Sequence, residues 1–360
     1  MTFNSGSCVR TAHATSKFEM LIVQEFNSLH DIDPEFIPAL ELLLKEEVPN
    51  FHFIERAQDL APEGDLFTYF LFFGPTQNTP IGFGQVCLRK VPWENYLSFW
   101  QRLWKKICFW NKDQEHWKEV IWNVFGGNSG VCLFDARFAR SGYDKMQSLI
   151  HEYEKRSDIV AHDIHDIKGL QNFKLKDLTP THLRARHVLE ALPKNAKSYQ
   201  DYLGNLPKEA QKEIKAEWKK LGSVNVGDYL LPAKDLDVPF TADELSLWES
   251  WGATLLTFEQ DKKILGCILM VPGKDGNYFF EPYPFEPENH AVVSDQMYIQ
   301  YALLKFHEVK EARRCHIMKG GTKLTFTDKK ELDYFLHQGF QAKEVSEVFY
   351  SRLEGLVAPI

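Results

Sequence analysis

One carboxylate sits in an aromatic run: Glu281, within Tyr278-Phe279-Phe280-Glu281-Pro282-Tyr283. Apolar neighbours disfavour the charged form of a carboxyl and raise its pKa, which makes a buried glutamate usable as a base near neutral pH. Strand alternation allows a second reading, with Glu281 on the outer face. A different chemistry is written in Arg137-Phe138-Ala139-Arg140-Ser141-Gly142. Guanidinium groups, a hydroxyl and a glycine at a strand-to-helix turn suit an anion, with the helix's first N–H groups as further donors. The same residues also read as a plain turn with exposed arginines. His162-Asp163-Ile164-His165-Asp166 offers imidazoles and carboxylates. At a strand end His162 and His165 fall on opposite faces, and no further ligand set has zinc spacing, so no metal is expected. Gly126-Gly127-Asn128-Ser129-Gly130 lacks the Gly-Lys-Ser/Thr ending of a phosphate loop and predicts a hairpin turn. No Gly-x-Ser-x-Gly elbow occurs. The 6 cysteines form no Cys-x-x-Cys pair, and free buried thiols are expected.

These residues need elements to hold them. Ala253–Phe258 and Ile264–Val271 read as strands, followed by a Gly/Asp turn and the aromatic strand carrying Glu281. Ser294 to Ala312 predicts a helix, Cys315–Met318 a strand, Asp328 to His337 a helix and Val345–Tyr350 a last strand. The first half runs similarly: strands at Glu19–Phe26, Leu66–Phe73, Ile81–Val91 and Val131–Phe138, a helix through Tyr143, Met146, Leu149, Ile150 and Tyr153, then a strand at 157–161. This repetition of pattern predicts two similar α/β domains, 1–175 and 176–360. Two insertions interrupt it. In 93–122, Tyr96, Leu97, Trp100, Leu103, Trp104 and Ile107 keep helical spacing beside Arg102, Lys105 and Lys106. That is an amphipathic helix packed on its own domain, or one whose tryptophans and lysines meet a membrane surface or a protein partner. In 198–221, Ser198 suits a helix cap and Pro207 a helix first turn; Ala210, Ile214, Trp218 and Leu221 form an apolar stripe, and lysines flank it with glutamates at i±4.

The order strand, strand, strand, helix, strand, helix, strand over Trp251–Leu353 resembles that of the GNAT superfamily of acyl-CoA N-acyltransferases. The ending Phe335-Leu336-His337-Gln338-Gly339-Phe340, with Phe349-Tyr350-Ser351-Arg352-Leu353 beyond it, is similar to the C-terminal signature of that superfamily. Tyr199–Leu221, a Tyr-x-x-Tyr-Leu-x-x-Leu-Pro-Lys run entering a lysine-rich helix, is similar to the opening of the second half of Fem-type peptidyltransferases, which carry two GNAT domains in tandem. The resemblance implies an α/β fold of two tandem GNAT-like domains with mixed central sheets flanked by helices. It implies acyl-CoA or acetyl-CoA as donor, with pantetheine lying between two parted strands. The superfamily's phosphate loop, Arg/Gln-x-x-Gly-x-Gly/Ala, matches Arg137 and Gly142 at its ends, while its middle glycine is Arg140 here. In the second half the equivalent stretch, Pro287-Glu288-Asn289-His290-Ala291-Val292-Val293-Ser294, has no glycine and carries an acid. A tyrosine five residues before the phenylalanine of Gly-Phe protonates the leaving thiolate in many members. That position is Phe335, and Tyr334 replaces it only if the helix is turned by one residue.

Composition sets the outer bounds. Hydrophobic residues are 44% and charged residues 26%, ordinary for a globular chain. The formal charge of −8 argues against a generally basic nucleic-acid binder. No apolar run is long enough to span a membrane, and the first residues lack a signal-peptide pattern, so a cytoplasmic protein is expected. The leading expectation is an N-acyltransferase moving an acyl group to the amine of a small molecule or peptide, with Glu281 as base, Tyr334 as acid and Arg137, Arg140, Ser141 and Gly142 holding the donor. The alternatives are a Fem-type transferase using aminoacyl-tRNA and a non-catalytic GNAT-like binding module.

Overall fold

The computed structural model describes residues 21–54, 63–76, 78–92, 116–122, 132–156, 159–165, 179–222, 224–231, 238–285, 293–320 and 322–351. The chain forms two compact units. One comprises 1–43, 57–186 and 344–360, the other 44–56 and 187–343.

In the first unit β1 (Ile22–Phe26), α1 (Ile37–Leu43), β2 (Leu66–Phe73), β3 (Pro80–Pro92), β4 (His116–Trp122), β5 (Cys132–Phe134), α2 (Ala139–Glu154), β6 (Ile159–His165) and β7 (Thr179–Leu189) follow in order. β2 reads Leu-Phe-Thr-Tyr-Phe-Leu-Phe-Phe and is buried on both faces from Thr68 onward. Aromatic residues favour the pleated, enclosed surface of an interior strand. Phe70, Phe72, Val86, Val120, Trp122 and Ile164 form the core, with Met146 and Ile150 of α2 among them.

The second unit holds β8 (Leu192–Pro193), α3 (Tyr199–Asn205), α4 (Lys208–Leu221), β9 (Asn225–Leu230), α5 (Ala242–Ser250), β10 (Thr254–Gln260), β11 (Lys263–Pro272), β12 (Asn277–Pro284), α6 (Asp295–Glu308), β13 (Arg314–Lys319), β14 (Thr322–Lys323), β15 (Thr325–Phe326) and α7 (Lys329–His337). Its sheet runs β9-β10-β11-β12-β13-β14, with β8 on β13. All pairs are antiparallel except β12 with β13. Asp261 and Lys262 both take positive φ (51 and 67°) in the β10–β11 turn, the geometry that matches the twist of a two-residue hairpin. Ser198 caps α3 by accepting from the Asp201 N–H, as its sequence predicts, while Pro207 stands at the N-cap of α4, one residue before the first turn expected for it.

Two expectations are corrected. The final strand β16 (Ala342–Ser351) does not finish the second unit's sheet. It lies in the first unit's sheet, whose order is β1-β2-β3-β4-β6-β16-β7, with Tyr350 opposite His162. Alternation identifies a strand but leaves its partner open, because pairing is settled by burial far away in sequence. The 93–122 insertion is also shorter than its residue types suggest. Residues 93–115 lie outside the described residues, but 116–122 are β4, a central strand. Trp122 is fully buried there, so it cannot belong to a partner-facing surface. The glycine run 126–130 lies outside the described residues.

Candidate functional site

In the first unit β4 and β6 are parallel and pair from Lys118–Ile159 to Trp122–Ile164. Inside the sheet Trp122 Nε1 donates to His162 Nδ1 at 3.1 Å. The strand resumes as β5, which pairs with β3 (Gly82 opposite Phe134) and, among the described residues, not with β6. The parallel pair therefore parts. β5 turns through a Phe138 N–H to Asp135 carbonyl bond of 2.8 Å into α2. Phe138 sits at the N-cap and has no side chain able to cap. Helix geometry leaves the N–H groups of Ala139, Arg140 and Ser141 without intrahelical acceptors, and the first helical bond is Gly142 N–H to the Phe138 carbonyl at 2.8 Å.

The predicted donor residues thus meet in one turn, but with different parts. Arg137 clasps Asp135 through Nε and Nη2 at 3.0 and 2.8 Å, and this pairing holds the Asp135 carboxyl down at about 2. Arg140 is exposed and Ser141 half-buried. Gly142 is a packing glycine: a Cβ there would meet the Phe134 ring at 2.4 Å, and one on Gly82 would meet it at 2.2 Å. The close approach seats α2 on β5.

The second unit has its own fork. β12 and β13 pair from Asn277–Arg314 to Phe280–Ile317 and then separate, while β12 continues on β11 as far as Pro284. Glu281 is the first residue past the parting, and Pro282 beside it has no N–H to offer a ladder. Glu281 is 3% exposed, so it is enclosed rather than solvated, although it lies on the face away from the helices. It shares a face with Phe279 and lies opposite in direction to Phe280, which packs in the core with α6 and α7. On Glu281's face the His316 ring stacks on Phe279 (4.4 Å between centroids, 10° between planes) and hydrogen-bonds Asn277 Oδ1 through Nε2 at 2.8 Å. Burial, aided by Lys323 and Arg314, pushes this imidazole well below its ordinary pKa, so it is neutral. Sequence reasoning passes over His316, since a lone histidine in a short strand carries no signal of its own.

Tyr334 lies on the helical side of that sheet, in a polar network within the core. Gln300 Nε2 donates to the Tyr334 hydroxyl and to Gln338 Oε1, both at 3.1 Å. The Tyr199 hydroxyl donates to Gln300 Oε1 at 2.8 Å, and the Tyr202 hydroxyl to the Gln338 carbonyl at 2.9 Å. Burial pushes the Tyr199 phenol up to about 12 and the Tyr334 phenol higher still. Phe335 is buried in the core. Alternation and layer place Glu281 and Tyr334 on opposite faces of the sheet.

The start of α6 is closed by the protein itself. Ser294 caps it, accepting from the Met297 N–H, and the Ser294 hydroxyl donates to Glu217 Oε2 at 2.7 Å. Burial alone would raise the Glu217 carboxyl, but its pairing with Lys220 and the Ser294 hydroxyl hold it below the usual range. Asp295 adds a second acid to the first turn. Along α4, Lys220–Glu217 at i,i+3 is the ion pair among the described residues, where the sequence suggests i±4 pairs. Among the described residues no group of three or more His, Cys, Asp or Glu side chains is placed to hold a metal ion. No helix among them is long and apolar enough to cross a membrane. Cys87, Cys132, Cys267 and Cys315 are buried and free, as their scattered apolar positions predict.

No protein-family model and no curated protein matches the chain. Solved structures do resemble it. A tandem GNAT protein from the clavulanic acid biosynthesis pathway matches at 10% identity over 95% of this chain and 100% of that one, with a TM-score of 0.41. A GNAT-family acetyltransferase from Colwellia psychrerythraea matches at 10% identity over 91% and 99%, with a TM-score of 0.40. At that level the likeness says nothing of what this chain binds or does. Each unit has its own mixed sheet in which a parallel pair, β4 with β6 and β12 with β13, parts beside a helix, which fits the two mixed sheets flanked by helices expected from the sequence.

Proposed function

We propose that this chain is an N-acyltransferase whose acyl-CoA donor is held by the first unit. One observation carries the reading: there the parted parallel strands lead into a helix whose first N–H groups have no cap, with Arg137 and Arg140 alongside. An unpaired strand edge can hydrogen-bond the amides of pantetheine, and an uncapped helix start with guanidinium groups suits a pyrophosphate. The second unit has a fork too, but Glu217 and Asp295 stand at its helix start and would repel an anion. In the reaction an amine nitrogen attacks the thioester carbonyl, the C–S bond breaks, a base takes the ammonium proton and an acid returns one to the thiolate. Glu281 is the base in this reading, because it is a buried carboxylate where β12 runs free of β13. Tyr334 is not placed to act with it: the hydroxyl lies on the other face of that sheet, in the buried Gln300–Gln338 network, so the expected acid is corrected.

Calorimetric titration with acetyl-CoA and longer acyl-CoAs tests the donor. Binding that weakens about tenfold in Arg137→Ala/Arg140→Ala fits the loss of charge-assisted phosphate contacts. Absence of heat and of any thermal shift with every thioester would leave a binding module instead. A second reading has one observation in its favour. Lys208, Lys212, Lys215 and Lys219 are exposed and lie on one face of α4, a stripe that suits a polyanion such as aminoacyl-tRNA. Salt-dependent tRNA binding abolished by charge reversal along that stripe would favour it.

A further inference from the structure

The first unit carries a cavity of ≈ 440 Å³ on the face of its sheet away from α2. β1 is an edge strand, and its register on β2 sets Ile22 opposite Phe73, with Gln24 two residues on along the same face. A 3-10 turn brings the other wall. Asp33 caps it by accepting from the Glu35 N–H at 3.0 Å, Pro34 fixes the backbone, and Phe36 meets Phe73 edge-to-face with centroids 5.2 Å apart. Glu35, Gln24 and Asn78 supply the polar lining. Among the described residues no lysine or arginine lines the cavity. Among the described residues the Glu35 carboxylate takes no hydrogen bond or ion pair, and Glu35 lines the same cavity as Phe36 and Phe73.

We propose that this cavity binds an organic ammonium: a protonated amine carried on an apolar or aromatic body. A volume in this range suits a small ligand. The lining offers a carboxylate, amide oxygens and aromatic rings, all of which attract a cation. Glu35 repels carboxylates and phosphates, and the floor of Ile22, Phe36 and Phe73 covers an apolar body. The proposal concerns binding alone. Its link to an amine acceptor rests on the acyl-transfer reading above.

The test uses phenethylammonium and its neutral isostere 2-phenylethanol, titrated into the full chain and read by NMR at the side-chain amides of Gln24 and Asn78. The ammonium is expected to saturate those signals and to bind about fivefold more tightly than the alcohol, the range of an exposed ion pair with an added ring contact. Glu35→Gln should bring the ammonium down to the alcohol's affinity and leave the alcohol unchanged. Equal affinities in the native chain, ammonium binding indifferent to Glu35→Gln, or shifts that never saturate would each overturn the site. Glu35 is exposed, so the variant should keep the native thermal midpoint. No thioester is present in the assay. A failure of acetyl-CoA to bind therefore counts against the acyltransferase reading alone.

Discussion

Replacing Gly142 with alanine should destabilise the first unit, although the same change in most helices does the reverse. Gly142 lies inside α2, where exchanging glycine for alanine ordinarily gains about 1 kcal/mol of helix propensity. Here the new Cβ would stand 2.4 to 2.5 Å from three atoms of the Phe134 ring. That ring has little room to retreat. Gly82 already touches it so closely that a Cβ there would lie at 2.2 Å, Phe72 meets it edge-to-face at 4.7 Å and Tyr143 at 5.7 Å. Overpacking a tight core costs typically about 1–3 kcal/mol. With three ring atoms in conflict and a pinned ring, we take the upper part of that range. Net of the propensity gain, the loss is about 1–2 kcal/mol.

Gly204 supplies the control. It lies in α3 with nothing within 4 Å of the point where an alanine methyl would stand, and its φ is not positive. Gly204→Ala should therefore stabilise by about 0.4–1 kcal/mol. Urea denaturation of both variants reads the two signs. Phe134→Leu added to Gly142→Ala should recover part of the loss, giving a coupling of about 1 kcal/mol or more in the cycle. The α2 N–H groups should move with the helix, so acetyl-CoA affinity should fall in Gly142→Ala and return with the rescue. A Gly142→Ala protein as stable as the native one, or more so, would refute the packing role of this glycine.

Tyr334→Phe deletes an acceptor of Gln300, which keeps its bond to Gln338, so stability should fall by about 1 kcal/mol or less in urea denaturation while turnover per folded molecule is unchanged. A loss of turnover of about tenfold or more would refute this purely structural place for Tyr334. Tyr202→Phe strips the hydroxyl donor from the buried Gln338 carbonyl and should cost about 1–2 kcal/mol in urea denaturation, with turnover per folded molecule unaffected. Glu217 has its folded pKa below the ordinary 4.5, so its stabilisation is present above that pH and is lost as pH falls through the folded value. Glu217→Gln should flatten the acid limb of the stability curve below about pH 5, measured by thermal midpoint; an unchanged limb would count against the Ser294–Glu217–Lys220 contact.

These predictions turn on features the sequence shows unevenly, for physical reasons. Local signals are legible. Ser198 and Ser294 read as caps because a hydroxyl answers a nearby N–H, and both do so. Leu66–Phe73 reads as a strand because its residue types allow little else. The position of Arg137–Gly142 at a strand-to-helix turn is also local and is as expected. What fails to show is set by distant partners. Val345–Tyr350 alternates as a strand must, but only the burial of Val348 and Tyr350 beside Ile164 and His162 decides that it pairs with β6. Trp117 and Trp122 fall in with a helical insertion because tryptophans fit either period, whereas β3 supplies the register that makes them strand. Gly142 looks like a phosphate-loop glycine from its neighbours, and only Phe134 and Gly82, brought together by β5 on β3, reveal a packing role. Glu281 is the instructive case. Its two possible directions differ by one step of alternation, and the sequence of β12 alone cannot choose between them. The choice is made by β11 and β13: Leu269 stands beside Glu281, and β13 leaves after Ile317. A carboxylate is thereby enclosed where a strand has lost its neighbour. A site of this kind is assembled by pairing rather than by a local motif, so substitutions that shift β13, such as changes at Ile317, should alter Glu281's surroundings as surely as changes at Glu281 itself.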